Sequence, residues 1–360
     1  MKRLFDEVKK KFLAWGEAQG GRGGRPWGRE HLRIRKMYLK WWGEKLDFHT
    51  LGDLIGILSP VEEALQEILN AGRAGKTVQN YAETLKSFCR WCVRRGFLPE
   101  DPLKDLLPYD IAPKEPRRAL DLAEIGKILQ MADQYRGLLY EVALCTGLRA
   151  NELRSLQIED LDVEGCGLQL HAEWTKNRKP GFQPLPKLLV EKLKKFAERQ
   201  TAELLYEERY PRRSATRNII PKNPLLYIED SPGMTLDRVM EAAEVEKSNR
   251  DGKIDFHALR TTFGTLLNMV GATEKEIQHL MRHRPRTITF DRYVKTSEDR
   301  LRTLIDSISD MIMTAKERET CEKSAKQVVG LDVSLYETNS KWRERVGVEP
   351  TWSIATPERL

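Results

Sequence analysis

HALRTTFGTLLNMVGATEKEIQHLMRHRPRTITFDRYVK, residues 257–295, is the stretch on which the reading of the whole chain turns. Leu259, Phe263, Leu266, Leu267 and Val270 recur at helical spacing and Asp255 stands at an N-cap position, so the pattern predicts a helix from near His257 to Gly271. His257 and Arg260 then share one face of its first turn. Thr273 with Glu276 has the form of a capping box and opens a second helix through Ile277 and Leu280. That helix stops before His283, and a short third segment ends at Tyr293. Two imidazoles, a guanidinium and a phenol are thus delivered from three successive short elements.

Such a set suits chemistry on a phosphate. Attack on a phosphodiester builds negative charge on the non-bridging oxygens; an arginine fork matches two of them, and a histidine adds another donor. Tyrosine is the candidate nucleophile because its oxygen can form a covalent ester that conserves the energy of the cut bond. Its free pKa of about 10 means that the proton leaves only with help, which clustered cations supply.

The chain resembles the tyrosine recombinases, phage-integrase and Xer-like, over roughly Lys76 to Ala315. The matching residues are TGLR ending at Arg149, with Glu152 after it; TKN with Lys176; HALR with His257 and Arg260; His283; and Tyr293 in FDRYVK. Singly each is weak: a histidine caps helices, a tyrosine packs, and an isolated Arg149–Glu152 pair is a surface ion pair of little worth. The ordered set is what carries the resemblance. It implies a mainly α fold with a small antiparallel β-sheet, a helical core-binding domain followed by a mixed α+β catalytic domain. It implies that Tyr293 attacks, that Arg149, Arg260 and His283 stabilise charge, that Lys176 protonates the leaving 5′ oxygen with Lys179 as rival, and that His257 orients or serves as acid/base. Glu152 supports Arg149. The implied partners are double-stranded DNA, further copies of the chain in a tetramer on paired sites, and accessory DNA-bending proteins; no cofactor or metal is required. One departure stands out. Arg282 occupies the place where a glycine commonly precedes this histidine, and if the turn needs positive φ, Arg282 adopts it at a cost. The neighbouring Arg284 and Arg286 are further candidates for phosphate contacts.

Working outward, 360 residues with 40% hydrophobic content suffice for two domains with ordinary cores. No apolar run approaches a membrane span, and MKRLFDEVKKKF lacks the apolar core of a signal peptide, so the expected location is the cytoplasm of a bacterium or archaeon, on the nucleoid when bound to DNA. Five cysteines without framework spacing fit a reducing compartment. Cys89 and Cys92 form a lone C-x-x-C, but with Leu85, Phe88 and Trp91 they sit at helical spacing and read as buried helix residues. The formal charge is +7, and thirteen Lys and Arg face seven Asp and Glu between Met1 and Asp53, so nearly the whole excess lies there. A solvated basic face and a DNA contact both fit that cluster.

Residues 1–107 read as an all-helical, core-type DNA-binding domain. A helix is expected over 3–19, then a flexible strap GGRGGRPWGR, then a stretch in which Arg33, Arg35 and Lys36 interleave with Tyr38, Trp41 and Trp42. The cations are candidate phosphate contacts and the aromatics packing residues. Helices follow around Val61–Asn70 and Thr77–Arg95, with Lys76 a further DNA-contact candidate. Residues 108–118, rich in proline, are the linker, and 119–315 the catalytic domain. There, Asp121 with Glu124 starts a helix, a second runs from Gly137 to Cys145, and Gly147 makes the turn that presents Arg149. Strands are expected at Ile158–Leu161, Gly167–His171 and Phe182–Pro184, with TKNRKPG as a hairpin turn, then a helix over 187–205. The stretch 206–224, with Arg212 and Arg213, reads as a loop that tracks DNA or is simply mobile.

Past Tyr293, Leu301, Leu304, Ile305, Ile308, Met311 and Ile312 form one helical stripe, packed on its own domain or, as the resemblance implies, docked on a neighbouring subunit. Residues 316–360 read as a disordered tail. Within it, Gly347-Val348-Glu349-Pro350 is compatible with the codons GGA-GTC-GAA-CC, the reverse complement of a transfer-RNA T-loop region, GGTTCGACTCC. The resemblance implies insertion into such genes, in which case the tail is translated from an attachment site and the chain is encoded by a mobile element.

Site-specific recombination is therefore the expected function. A type IB topoisomerase-like relaxing enzyme and a DNA-binding protein with a decayed site are the alternatives. A metal-dependent hydrolase using His257, His279 and His283 fits less well, because no acidic ligand sits at metal spacing; His279, on the apolar side of its helix, is read as non-catalytic.

Overall fold

Two separate groups of buried apolar side chains organise the chain. The computed structural model describes residues 3–113, 115–174, 179–210, 220–283 and 297–320. It divides into two compact units, Met1–Glu115 and Pro116–Leu360. The described residues are mainly helical with a small antiparallel sheet.

The first unit packs α1 (Phe5–Gln19), α2 (Arg29–Lys45), α3 (Leu58–Asn70) and α4 (Gly75–Arg94). Helical spacing brings Phe5, Val8 and Phe12 of α1 onto Val78, Leu85, Phe88 and Cys92 of α4 in one core. Cys89 and Cys92 are buried free thiols, and burial pushes Cys92 up to about 12, as expected of packing residues. Trp42 is fully buried, and its indole N–H donates to the Tyr81 carbonyl at 3.0 Å. The strap between α1 and α2 is anchored rather than loose. The Trp27 N–H donates to the Gly16 carbonyl at 2.9 Å, and its ring packs edge-on against Phe12. It lies so close to Gly16 that a Cβ there would come within 2.1 Å of it.

In the second unit α5 (Leu122–Met131) begins at the expected capping box of Asp121 and Glu124. Then come α6 (Gln134–Thr146), buried almost all round, and α7 (Ala150–Ser155). The strand expected at Ile158–Leu161 is instead a 3-10 turn over Ile158–Asp160, because the Asp160 carboxylate accepts the Gln157 N–H at 2.8 Å and closes the chain on itself. Only Leu161–Asp162 (β1) remains extended. It pairs with β2 (Gly167–Leu170), which pairs with β3 (Gly181–Pro184), all antiparallel, with Leu161 opposite Leu168 and Leu168 opposite Gln183. The single helix expected over 187–205 is two, α8 (Lys187–Glu198) and α9 (Thr201–Arg209), broken where Gln200 takes a left-handed φ of 48°. Tyr206–Arg209, expected as loop, belongs to α9. There follow α10 (Pro232–Ala242) and a hairpin of β4 (Ser248–Asn249) and β5 (Gly252–Lys253).

The C-terminal elements are α11 (Ala258–Met269), α12 (Glu274–Leu280) and α13 (residues 298–320). α11 packs along α6, and Thr262, wholly buried, accepts the Leu120 N–H at 2.9 Å. α11 starts one residue later than read. The Asp255 carboxylate accepts the Ala258 N–H at 3.0 Å, which leaves His257 as the residue flanking the first turn. The Thr273–Glu276 capping box opens α12 as expected, but His279 is exposed, not on an apolar side. On α13, Leu301, Leu304, Ile305, Ile308 and Ile312 are buried in the core of their own unit. The stripe therefore packs on its own unit, the first of the two expected placements. The helix continues past 315 to 320; the rest of the expected tail, 321–360, lies outside the described residues.

Candidate active site

Arg149 reaches the surface because α6 ends abruptly. Gly147 closes that helix in the left-handed conformation, φ 59° and ψ 21°, Leu148 drops into the core, and Arg149 becomes the residue before α7. One turn on, Glu152, its side chain 3% exposed, accepts both the Arg149 N–H and its Nη1 at 2.9 Å. Burial works to raise this carboxyl, but the Arg149 N–H and the charges of Arg282 and Arg149 outweigh it and hold it below the usual range.

Arg260 lies on the first turn of α11 and is almost wholly buried. It donates through Nη1 to the Gly147 carbonyl and through Nη2 to the Met281 carbonyl, so one guanidinium ties the end of α6 to the end of α12. Burial first, then the charges of Arg149 and Arg282, push it down to about 10, which still leaves it protonated at neutral pH.

His257 and His283 are exposed. Lost hydration lowers both pKa values. For His257 the charges of Arg117, Arg260 and Arg149 add to it, with Asp255 opposing; for His283 the added charges are Arg260, Arg149 and Arg282. Both imidazoles are thus neutral at pH 7, within electrostatic reach of the same arginines. The structure accordingly brings together Arg149, Glu152, His257, Arg260 and His283 from the ends of α6, α11 and α12. Crowded cations of this kind repel, and an anion seated among them relieves the repulsion.

Lys176 and Tyr293 lie outside the described residues, as do Arg212, Arg213, Arg284 and Arg286. Lys179 borders a cavity of about 470 Å³ that also touches Arg282, His283, Lys275 and Arg302. Among the described residues, no group of three His, Cys, Asp or Glu is placed to hold a metal ion.

Two site residues have roles that sequence reasoning missed. Arg117, near the start of the second unit, forms a two-pronged pair with Asp255, Nε to Oδ1 and Nη2 to Oδ2 both at 2.7 Å, and so braces the turn carrying His257. Nothing periodic marks it. Arg282 was conspicuous as a departure and does adopt φ 51°. Its N–H donates to the His279 carbonyl and the His283 N–H to the Gln278 carbonyl, both at 2.9 Å, which is the Schellman pairing whose left-handed position favours glycine. The conformation costs a non-glycine residue about 1–2 kcal/mol.

In the first unit the predicted DNA-contact cations are partly engaged. Arg33 pairs with Glu30 at 2.5 and 2.8 Å and Lys36 with Glu17 at 3.1 Å, both in the open. Arg35 donates to the Glu83 carbonyl at 3.0 Å and lies 5.8 Å from the centre of the Trp27 ring. Lys76 is exposed at the start of α4.

The model of the phage integrase family matches residues 118–300, just over half of the chain. The tyrosine recombinase XerC of Bacillus subtilis (strain 168) is 24% identical over 277 residues, covering 71% of this chain and 86% of that one. A tyrosine recombinase XerD of Listeria monocytogenes serovar 1/2a is 26% identical over 250 residues, covering 67% and 77%. Among solved structures, a lambda integrase dimer bound to a COC′ core site superposes with a TM-score of 0.59 at 17% identity, over 82% of this chain and 80% of that one. A lambda integrase tetramer bound to a Holliday junction gives 0.59 at 18%, over 81% and 78%. The two structures share this chain's fold.

Proposed function

The chain belongs to the phage integrase family, and from that premise we propose that it is a site-specific recombinase that cuts and rejoins duplex DNA through a 3′-phosphotyrosyl intermediate. The Tyr293 phenolate oxygen attacks phosphorus; the bond to the 5′ oxygen breaks, its electron pair stays on that oxygen, and Lys176 supplies the proton. Arg149, Arg260 and His283 take up the charge on the non-bridging oxygens, and His257 orients the phosphate or relays the phenolic proton. The ester keeps the bond energy, so attack by the free 5′ hydroxyl of a partner strand reverses the step on a new junction without a nucleotide.

The observation that carries this reading is the tie Arg260 makes from the first turn of α11 to the Gly147 and Met281 carbonyls, which gathers the segments bearing Arg149, His257 and His283 around one guanidinium. The known lambda integrase assemblies, a dimer on a core site and a tetramer on a junction, support a DNA-bound homo-oligomer here. In this reading residues 1–107 act as the core-type DNA-binding domain, 108–118 as linker and 119–315 as catalytic domain. Lys76, Arg33, Arg35 and Lys36 meet backbone phosphates in the first, and Arg212 and Arg213 do so in the catalytic domain. The exposed pairs of Arg33 and Lys36 are weak enough for phosphate to replace them. Accessory DNA-bending proteins, a cytoplasmic site of action and an integrated mobile element as the source of the gene complete the proposal.

Tyr293→Phe tests it. Challenged with a nicked suicide duplex copied from the DNA flanking the gene, the wild-type chain becomes covalently attached, whereas Y293F binds the duplex without forming an adduct. An adduct trapped in Y293F removes Tyr293 as nucleophile.

A further inference from the structure

Arg282 holds a place in the site that its position in the chain does not explain. Its backbone is left-handed at φ 51°, where glycine is favoured, and its side chain is only 11% exposed. Nη2 donates to Glu152 Oε2 at 2.9 Å and Nη1 to Gln183 Oε1 at 3.2 Å. Gln183 is itself 1% exposed and comes from β3, while Glu152 comes from α7 and is the carboxylate that grips Arg149. Three elements, α7, β3 and the end of α12, therefore meet on one guanidinium. A glycine would take this backbone without strain and would leave Glu152 with one fewer buried partner.

We propose that Arg282 is a positioning residue of the strand-cleavage site: its fork fixes the carboxylate that aims Arg149, and its left-handed turn sets the direction in which His283 leaves α12. The two functions are joined in one residue, so the strained backbone is retained because the side chain it carries is needed. Arg282 does not touch the scissile phosphate; it acts through Glu152 and His283. Burial first, then the charges of Arg260, Arg149 and Arg282, hold the His283 pKa below its ordinary value.

The kinetic arm of the test rests on the cleavage reading above; the spectroscopic arm does not. Arg282→Gly relaxes the backbone and deletes the fork, while Arg282→Lys keeps the charge and loses the fork geometry. On the nicked duplex, R282G is expected to bind within about 3-fold of wild type and to form adduct on the order of 10²-fold more slowly, as when a ligand-orienting partner is lost, with R282K intermediate. In a Glu152→Gln background, R282G adds no more than about a further 3-fold, because the two residues act as one unit. In the full chain without DNA, the His283 imidazole followed by NMR titrates at higher pH in R282G than in wild type, and R282K stays near wild type. Adduct formation by R282G at the wild-type rate, losses that multiply with E152Q, or an unmoved His283 titration overturns the proposal. If R282G does not fold, R282K decides by the same rate: a wild-type rate there refutes the fork. If the wild-type chain forms no adduct, the cleavage reading fails, and the His283 titration still judges Arg282.

Discussion

At Gly147 the chain takes φ 59°, and a Cβ built there would stand 2.4 Å from the Phe263 ring. The carbonyl of the same residue accepts from Arg260, and the residue two further on is Arg149. Gly147→Ala is therefore expected to combine left-handed strain with overpacking and to destabilise the second unit by about 2–4 kcal/mol, measured by urea unfolding. Cleavage should fall further than stability alone accounts for, because both arginines lose their register. A variant as stable as wild type would show that the turn relaxes freely. Arg149, His257, Arg260 and His283 were legible in the sequence because residue type and order along the chain are enough to suggest phosphate chemistry. The partners of Arg282 and Arg117 were not, since Glu152 and Gln183 lie far from 282 in sequence, and Asp255 far from 117, and only the folded chain brings them together.

Among elements, those with a local signature were readable: the capping boxes of α5 and α12, the glycine that ends α6, the apolar face of α4. The break between α8 and α9 was hidden because Gln200 carries no sign of its left-handed φ, and the Asp160 cap competed with a strand pattern that looked ordinary. For α13 the apolar stripe was readable but its destination was not. Its burial at home predicts that Ile305→Ala, at a side chain wholly buried in the second unit's core, lowers unfolding stability by about 2–4 kcal/mol. A variant that unfolds like wild type but no longer assembles on DNA would contradict that placement. The ends of α11 and α12 also make a pH prediction. His257 and His283 have lowered pKa values in the folded chain, so the unfolded chain, titrating near 6.5, binds more protons below that value. Stability is therefore fully present above pH 6.5 and declines as pH falls through 6.5 toward the depressed folded values. Unfolding followed from pH 7.5 to 5.5 should show this slope, and the double variant His257→Gln, His283→Gln should flatten it. An equal slope in that variant would place the titrating groups elsewhere.

For the whole molecule, length and a proline-rich stretch indicated two parts; the structure has two compact units with separate cores. Composition reached no further, because a +7 excess is compatible with many partners. Only membership of the phage integrase family, with a fold shared with lambda integrase, narrows the activity to cutting and rejoining DNA strands. The most direct test is to trap the chain on a nicked suicide duplex copied from the DNA flanking its gene, digest it, and locate the nucleotide-bearing peptide by mass spectrometry. The account predicts a 3′-phosphotyrosyl link on Tyr293; an adduct on any other residue, or a wild-type chain that binds this DNA tightly and never becomes attached, would contradict it.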